Sequence, residues 1–498
     1  MKSTSKGFSW ALLPGEAKKL IPMVIMVFCI CFNHTTLRNL KDALIVPENG
    51  SGAAIIPFIK VWVIVPAAII MTIIFTFLSN RLSRRAVFHV MILGFLSFFT
   101  LFAFFLYPNR AALEPRSLAT ALEGMLPPGF HAMVGMLRHW PLTLFYVMSE
   151  TWGSIVLSVL FWGFANEVTK LSEAPRFYGI LSVAACVAPV AAGGVSSFLS
   201  QNAVEAVAWE QALTTIILFV IAAGITALLC FNWLTKHALD RPTWALENSP
   251  PSPKEKHLSF RESLSYVASS RYLLCIAILV FAYNLVVAIV ELVWKDQLGK
   301  LCPSPNEYSV YVNNLTIIVG VLSIIASFLF VKLVNRFGWT VTAIITPLAL
   351  LITTVAFFFC IVGGTTITPV IAMLLGTTPL TLAVTLGSIQ FCFSKAAKYS
   401  LFDMTKEMAF IPLAPDVKLK GKAAIDGIGS RLGKSGGSCV NQGLYLIFCS
   451  VSASVPYVAV VLLLVTSIWL LAVVSLGKQF DAIGGKKPVE GSLEAVPA

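Results

Sequence analysis

The 498-residue chain is 57% hydrophobic and 12% charged, with a mean hydropathy of +0.83 and a formal net charge of +12. Soluble domains carry about 25% charged residues, so a water-soluble globule is excluded. The apolar runs are unbroken over roughly the 20 residues a bilayer-crossing helix needs and do not alternate like barrel strands, which predicts an all-α membrane protein.

In chain order, spans are predicted near 20–37, 55–78, 86–107, 141–165, 178–200 and 212–234, then near 272–293, 313–333, 340–362, 369–393, 425–450 and 456–477. Polar residues interrupt the first and the eleventh. Between the two sixes lies 235–271, whose NSPPSPKEKH run has the Pro, Ser and charge content of a linker. The predicted organisation is an N-terminal six-helix half at 1–234, a cytoplasmic linker at 235–271, a C-terminal half at 272–478 and a tail at 479–498. Lys2, Lys6, Lys18 and Lys19 precede the first apolar run, and no small-residue cleavage site follows it. An uncleaved first helix is expected.

The loops alternate in charge. The N-terminal tail, the loops at 79–85, 166–177, 235–271, 331–339 and 394–422, and the residues after the last span from 478 on hold 26 Lys plus Arg, whereas the opposite set of loops holds 7. The positive-inside rule then places both termini in the cytoplasm, and the basic balance requires no nucleic acid. The ten cysteines lie almost entirely in apolar runs without a CxxC pair, so neither a disulfide framework nor a metal site is indicated.

The two sixes resemble each other. Asn80 and Arg81 recur as Asn335 and Arg336 at an offset of 255, and Lys41-Asp42 recurs as Lys295-Asp296 at 254. Asn166 to Lys170 pairs less closely with Asp403 to Lys406, the register being displaced by a long loop at 108–140 that the second half lacks. A parallel six-plus-six repeat predicts a major-facilitator-like layout of twelve helices in two pseudo-symmetric halves, with a central site at the midplane.

Ionisable groups inside spans cost several kcal/mol and are candidates for function. They are His34, Arg38, Lys41 and Asp42; Lys60; Glu150; Glu291, Lys295 and Asp296; Lys395, Lys398, Asp403, Lys406 and Glu407; and Asp426, Arg431 and Lys434. Structural alternatives stand beside several of them. Lys60 can snorkel to an interface, Lys41-Asp42 can be an exposed pair at a helix end, and Asp403 to Glu407 can form a gate or a solvated face. Glu150 and Glu291, deep in apolar runs, are harder to explain structurally. An excess of Lys and Arg suits an anionic substrate, phosphate above all. The SRLGKSGG run at 430–437 is not a phosphate-binding loop, because Ile428 stands where GxxxxGK[ST] needs its first glycine, and small-residue helix packing is the simpler reading.

Five segments carry a family resemblance: FNHTTLRNLKDALIV (32–46), GSGAAIIPFIK (50–60), SETWGSIVLSVLFWGFANEVTK (149–170), KYSLFDMTKEMAFIPL (398–413) and KGKAAIDGIGSRLGKSGG (420–437). Together they resemble the non-mitochondrial ATP/ADP translocase family of plastids and obligate intracellular bacteria, over essentially the whole chain. The resemblance implies a nucleotide transporter of a bacterial cytoplasmic membrane that is not an enzyme and needs no cofactor. Its partners would be ATP, ADP or other nucleoside triphosphates, lipid and, in some members, a proton. The family's functional lysines fall on Lys41 and Lys398, and its carboxylates on Glu150 and Glu291. The expected substrate-binding set is Arg38, Lys41, Glu150, Asn166, Glu291, Lys398, Asp403 and Lys434, with His34, Glu150 and Glu291 as candidates for coupling to a proton. Asn39 replaces an acid of the family pattern and Ala288 a polar residue, which keeps proton-coupled uptake of several nucleotides open beside ATP/ADP exchange. A nucleotide sensor that moves nothing is the competing class, and the repeated halves argue against it.

Overall fold

The computed structural model describes residues 16–47, 52–169, 173–201, 206–238, 267, 270–363, 368–413, 417, 421–422, 424–425 and 429–484. Most of the expected linker, the lysines ahead of Glu16, Lys170, Asp426 and the tail beyond residue 484 lie outside this set.

The described chain is helical throughout. The long helices are α1 (Glu16–Ile45), α2 (Gly52–Arg81) and α3 (Arg84–Leu106). After two short outer helices, α4 (Arg116–Met125) and α5 (His131–Arg138), come α6 (Trp140–Val168), α7 (Ala174–Gln201) and α8 (Ala206–His237). The remainder are α9 (Arg271–Leu301), α10 (Pro305–Ser327), α11 (Lys332–Val362), α12 (Pro379–Phe410), α13 (Ser430–Phe448) and α14 (Val451–Gly484). Among the described residues, eleven of these helices are long and apolar enough to cross a membrane. The expected eleventh span is present as α13, but its SRLGKSGG start makes it too polar to qualify on hydropathy. Rows of exposed apolar side chains, such as Ile69, Ile70, Ile73 and Phe77 on α2 or Leu463, Leu464 and Leu471 on α14, require lipid as their solvent.

Local signals set the helix boundaries. Ser83 in SNRLSRR accepts a hydrogen bond from the Ala86 N–H and starts α3. Thr378 caps α12 in the same way and is followed by Pro379 at the first helical position. In the matching VNRFGW motif the chain bends at Gly338, with φ +78° and ψ 177°, a conformation only glycine adopts readily.

The helices pack as two groups. α1 is enclosed by α6, α7 and α8, and α9 by α12, α13 and α14. Near the termini, Lys19 pairs with Glu173 at 2.5 Å and Glu16 with Arg176 at 2.6 Å. The two groups meet at the opposite, far end. There α7 lies against α10, and a Cβ on Gly193 would sit 2.8 Å from the Asn313 carbonyl oxygen. Asn39 of α1 donates to Asn313 and Thr316 of α10 at 2.9 Å each, and Ser197 of α7 donates to Asn314 at 2.7 Å. The long 108–140 loop adds a clasp at this end. Pro128–Phe130 seats on α13, with buried Gly129 so close that a Cβ would lie 2.5 Å from the Leu446 carbonyl oxygen. Beside it, Phe58 of α2 meets Tyr445 edge-on at 6.1 Å.

The SRLGKSGG run packs as a small-residue surface. Added Cβ atoms on Gly433 and Gly437 would come within 2.7 Å and 3.1 Å of the α9 backbone oxygens of Phe281 and Leu285.

The clasp gives a test. Gly129→Val is expected to lower stability by about 1–3 kcal/mol through overpacking against α13, read as a fall in Tm of the purified protein. Gly124→Ala, at an exposed α4 position with open space around it, is expected to leave Tm unchanged or raise it slightly.

Candidate functional site

Charged side chains from four spans meet below the far end. Glu150 lies ten residues into α6 and Glu291 ten residues before the end of α9, each about 15 Å deep at 1.5 Å per residue. Lys41 Nζ lies 2.9 Å from Glu150 and 3.8 Å from Asp42. Asp42 reaches Lys295 Nζ at 2.8 Å, Lys295 reaches Glu291 at 2.9 Å, and Glu291 reaches Lys395 at 3.0 Å. The result is one chain of alternating sign, Glu150–Lys41–Asp42–Lys295–Glu291–Lys395, with three cations and three anions. The Asp42–Lys295 pair is its link between the two helix groups.

This arrangement follows from local sequence. Lys41 and Asp42 are adjacent, so one helix turn offers both signs. Glu291 and Lys295 are four apart and share a helix face. Lys41 Nζ also sits 3.6 Å from the centre of the Tyr146 ring, and Tyr146 stands one turn before Glu150. Glycines allow the close approaches: Gly387 leaves room for Trp294, and Gly153 for the His34 ring, which a Cβ would meet at 2.5 Å. Lys41 and Lys295 are almost wholly buried, whereas the Glu150 side chain keeps 44% of its surface exposed. A solvent-accessible space therefore reaches the middle of the bundle. Ser154 and Ser158 follow Glu150 at helical spacing and are also exposed. On the α9 side, Arg38, Asn39, Asp42, Glu291, Lys295 and Lys395 line a small cleft.

The candidates from sequence divide into two groups. Lys41, Glu150 and Glu291 belong to the ion chain, and Arg38 borders it. His34 faces Gly153, and its Nδ1 is buried without a hydrogen-bond partner among the described residues. Lys434 is exposed on α13, within electrostatic reach of His34. The α12 lysine that meets Glu291 is Lys395, while Lys398 begins a widened turn with i→i+5 bonding, one helical turn on. Asn166 and Asp403 are not brought to the chain. Asn166 accepts a hydrogen bond from Tyr178 at 2.8 Å at the termini end of α6, and Asp403 lies two turns beyond Lys395. Sequence reasoning missed Tyr146, Asn313 and Thr316. An Asn-Asn-x-Thr cluster inside an apolar span was the available signal for the last two.

The family model described as TLC ATP/ADP transporter matches residues 2–480. The chain is 41% identical to the ADP,ATP carrier protein 1 of Chlamydia pneumoniae, covering 98% of this chain and 96% of that protein. It is 42% identical to the ADP,ATP carrier protein 1 of Chlamydia trachomatis, covering 97% and 93%. It is also 42% identical to a chloroplastic ADP,ATP carrier protein 1 of Arabidopsis thaliana, covering 96% and 76%. Among solved structures, a bacterial homologue of the iron transporter ferroportin in an inward-facing state superposes with a TM-score of 0.58 at 14% identity, covering 94% of this chain and 99% of that one. A D-xylose-proton symporter superposes with a TM-score of 0.57 at 14% identity, covering 95% and 99%. At such identities the likeness concerns the fold, which is the major-facilitator-like arrangement expected from the repeat.

Removing Lys41 leaves Asp42 and Glu150 facing each other without their shared cation. Lys41→Met is expected to destabilise the protein by about 3 kcal/mol, the low end for a broken buried pair because Glu150 is partly solvated. Lys300→Met, which breaks an exposed pair with Asp296, is expected to cost less than about 1 kcal/mol in the same thermal-unfolding measurement.

Proposed function

The chain belongs to the TLC ATP/ADP transporter family, and we propose that it exchanges ATP and ADP across a bacterial cytoplasmic membrane by alternating access between its two helix groups. In this reading 1–234 and 272–478 are the moving halves, both termini face the cytoplasm, and no covalent bond is made or broken. The observation that carries the reading is the ion chain joining α1 and α6 to α9 and α12 at the depth where a substrate would sit.

The physics of that chain favours exchange. Rocking the halves apart at the far end separates Asp42 from Lys295. Asp42 keeps Lys41 and Lys295 keeps Glu291, yet separation leaves one excess charge on each side; breaking a buried pair costs up to about 3–5 kcal/mol, and each 1.4 kcal/mol is a factor of ten in an equilibrium. An empty carrier therefore crosses between its two states rarely. A polyphosphate supplies the anion that Lys295 loses, so the loaded carrier crosses more readily. Arg38, Lys41, Lys398 and Lys434 are the basic residues we assign to the phosphates. Glu150 and Glu291 hold the lysines until substrate arrives. Asn166 and Asp403 sit nearer the termini and would meet the nucleotide on its way in.

A second reading, nucleotide uptake with a proton, draws on one observation. His34 keeps a buried ring nitrogen that has no partner among the described residues, within electrostatic reach of Glu150. Liposomes separate the two. For exchange, uptake of labelled ATP rises at least tenfold on preloading with ADP and is indifferent to a protonophore. Uptake that ignores internal ADP and collapses with the protonophore would establish the second reading instead.

A further inference from the structure

The six-membered ion chain balances itself, three lysines against three carboxylates. A polyanion gains from it only by displacing a carboxylate from each lysine it takes. Charge that is free to meet phosphate must come from elsewhere.

Lys60 answers that description. It lies in α2, eight residues or about 12 Å below the far end at 1.5 Å per residue. Its ammonium is within electrostatic reach of Lys41, Lys295, Glu150 and Glu291, so it points into the bundle rather than snorkelling to a membrane surface. Among the described residues it nevertheless has no carboxylate within ion-pair distance and no hydrogen-bond acceptor. The residue is half-buried. Its backbone belongs to a widened stretch, Ile59–Ile64, with i→i+5 bonding, a distortion that occurs mostly where function requires it. That stretch packs against both α6, which carries Glu150, and α13, which carries Lys434, so it lies where the two halves meet. Arg38 shares these properties. It is half-buried, lacks an ion pair or hydrogen bond among the described residues, and borders the cleft beside Lys295 and Lys395.

An unpaired cation inside a membrane bundle is unfavourable unless a ligand uses it. We propose that Lys60, together with Arg38, is the first receptor of the substrate's phosphate charge, and that the ion-chain lysines engage only after their carboxylates are displaced. The inference rests on the nucleotide-exchange reading above and adds a residue to it.

The test uses the purified full chain in ADP-loaded liposomes. Wild type is assayed first, and an absence of ATP uptake there would refute the exchange reading itself, separately from this proposal. With wild type active, Lys60→Gln is expected to raise KM for ATP at least tenfold, and Lys60→Arg to restore most of the loss, because guanidinium and ammonium both bind phosphate. ATP-dependent thermal stabilisation should shrink in Lys60→Gln, while its nucleotide-free Tm stays level or rises because an unpaired charge has gone. Wild-type KM together with wild-type ATP stabilisation in Lys60→Gln would overturn the proposal. So would a lowered nucleotide-free Tm, which would mark Lys60 as a structural lysine.

Discussion

One contact organises the rest of this molecule, the 2.8 Å pair between Asp42 of α1 and Lys295 of α9. Neither charge is tolerable alone in a low-dielectric interior. Each half supplies what the other lacks, and each partner is in turn held by neighbours, Lys41 and Glu150 on one side, Glu291 and Lys395 on the other. The fold serves this arrangement through its small residues. Gly153 and Gly387 let bulky rings pack tightly beside the chain, and Gly193 lets α7 approach α10 closely enough for the hydrogen-bonded seam around Asn39 and Asn313.

The far end thus has three kinds of adhesion: ion pairs, amide and hydroxyl hydrogen bonds, and the apolar clasp of Pro128–Phe130 on α13. They differ in what breaks them. The ion pairs yield to a competing anion, whereas the hydrogen bonds and the clasp do not sense charge. The hydrogen-bonded seam gives Asn39 a place. A neutral amide there donates to two acceptors on α10, and a carboxylate could donate to neither.

Much of this was legible in the sequence, because bilayer physics leaves few choices. Hydropathy located eleven of the spans, although the tenth, expected at 369–393, runs instead over Pro379–Phe410; loop charge predicted the orientation, and the Lys-Asp repeat at 254 residues predicted two related halves. The cost of burying charge singled out Lys41, Glu150 and Glu291. What sequence could not give was pairing. Lys395 and Lys398 are three residues apart on α12, and only the rotation of that helix decides that Lys395 faces Glu291. Lys60 stood between a functional cation and a snorkelling one, because one-dimensional position does not show which way a side chain points. The α13 glycines illustrate the opposite case. Their role in packing followed from the failure of the phosphate-loop spacing, and Gly433 and Gly437 do sit against the α9 backbone.

The central claim is that the charge pair between the halves forbids movement of the empty carrier. Asp42→Asn tests it most directly, by measuring release of labelled ATP from loaded liposomes into nucleotide-free buffer. Neutralising Asp42 removes the penalty for separating the halves, so net release should rise at least tenfold over wild type while exchange against external ADP persists. Strict exchange retained in Asp42→Asn, with no release into nucleotide-free buffer, would contradict the account.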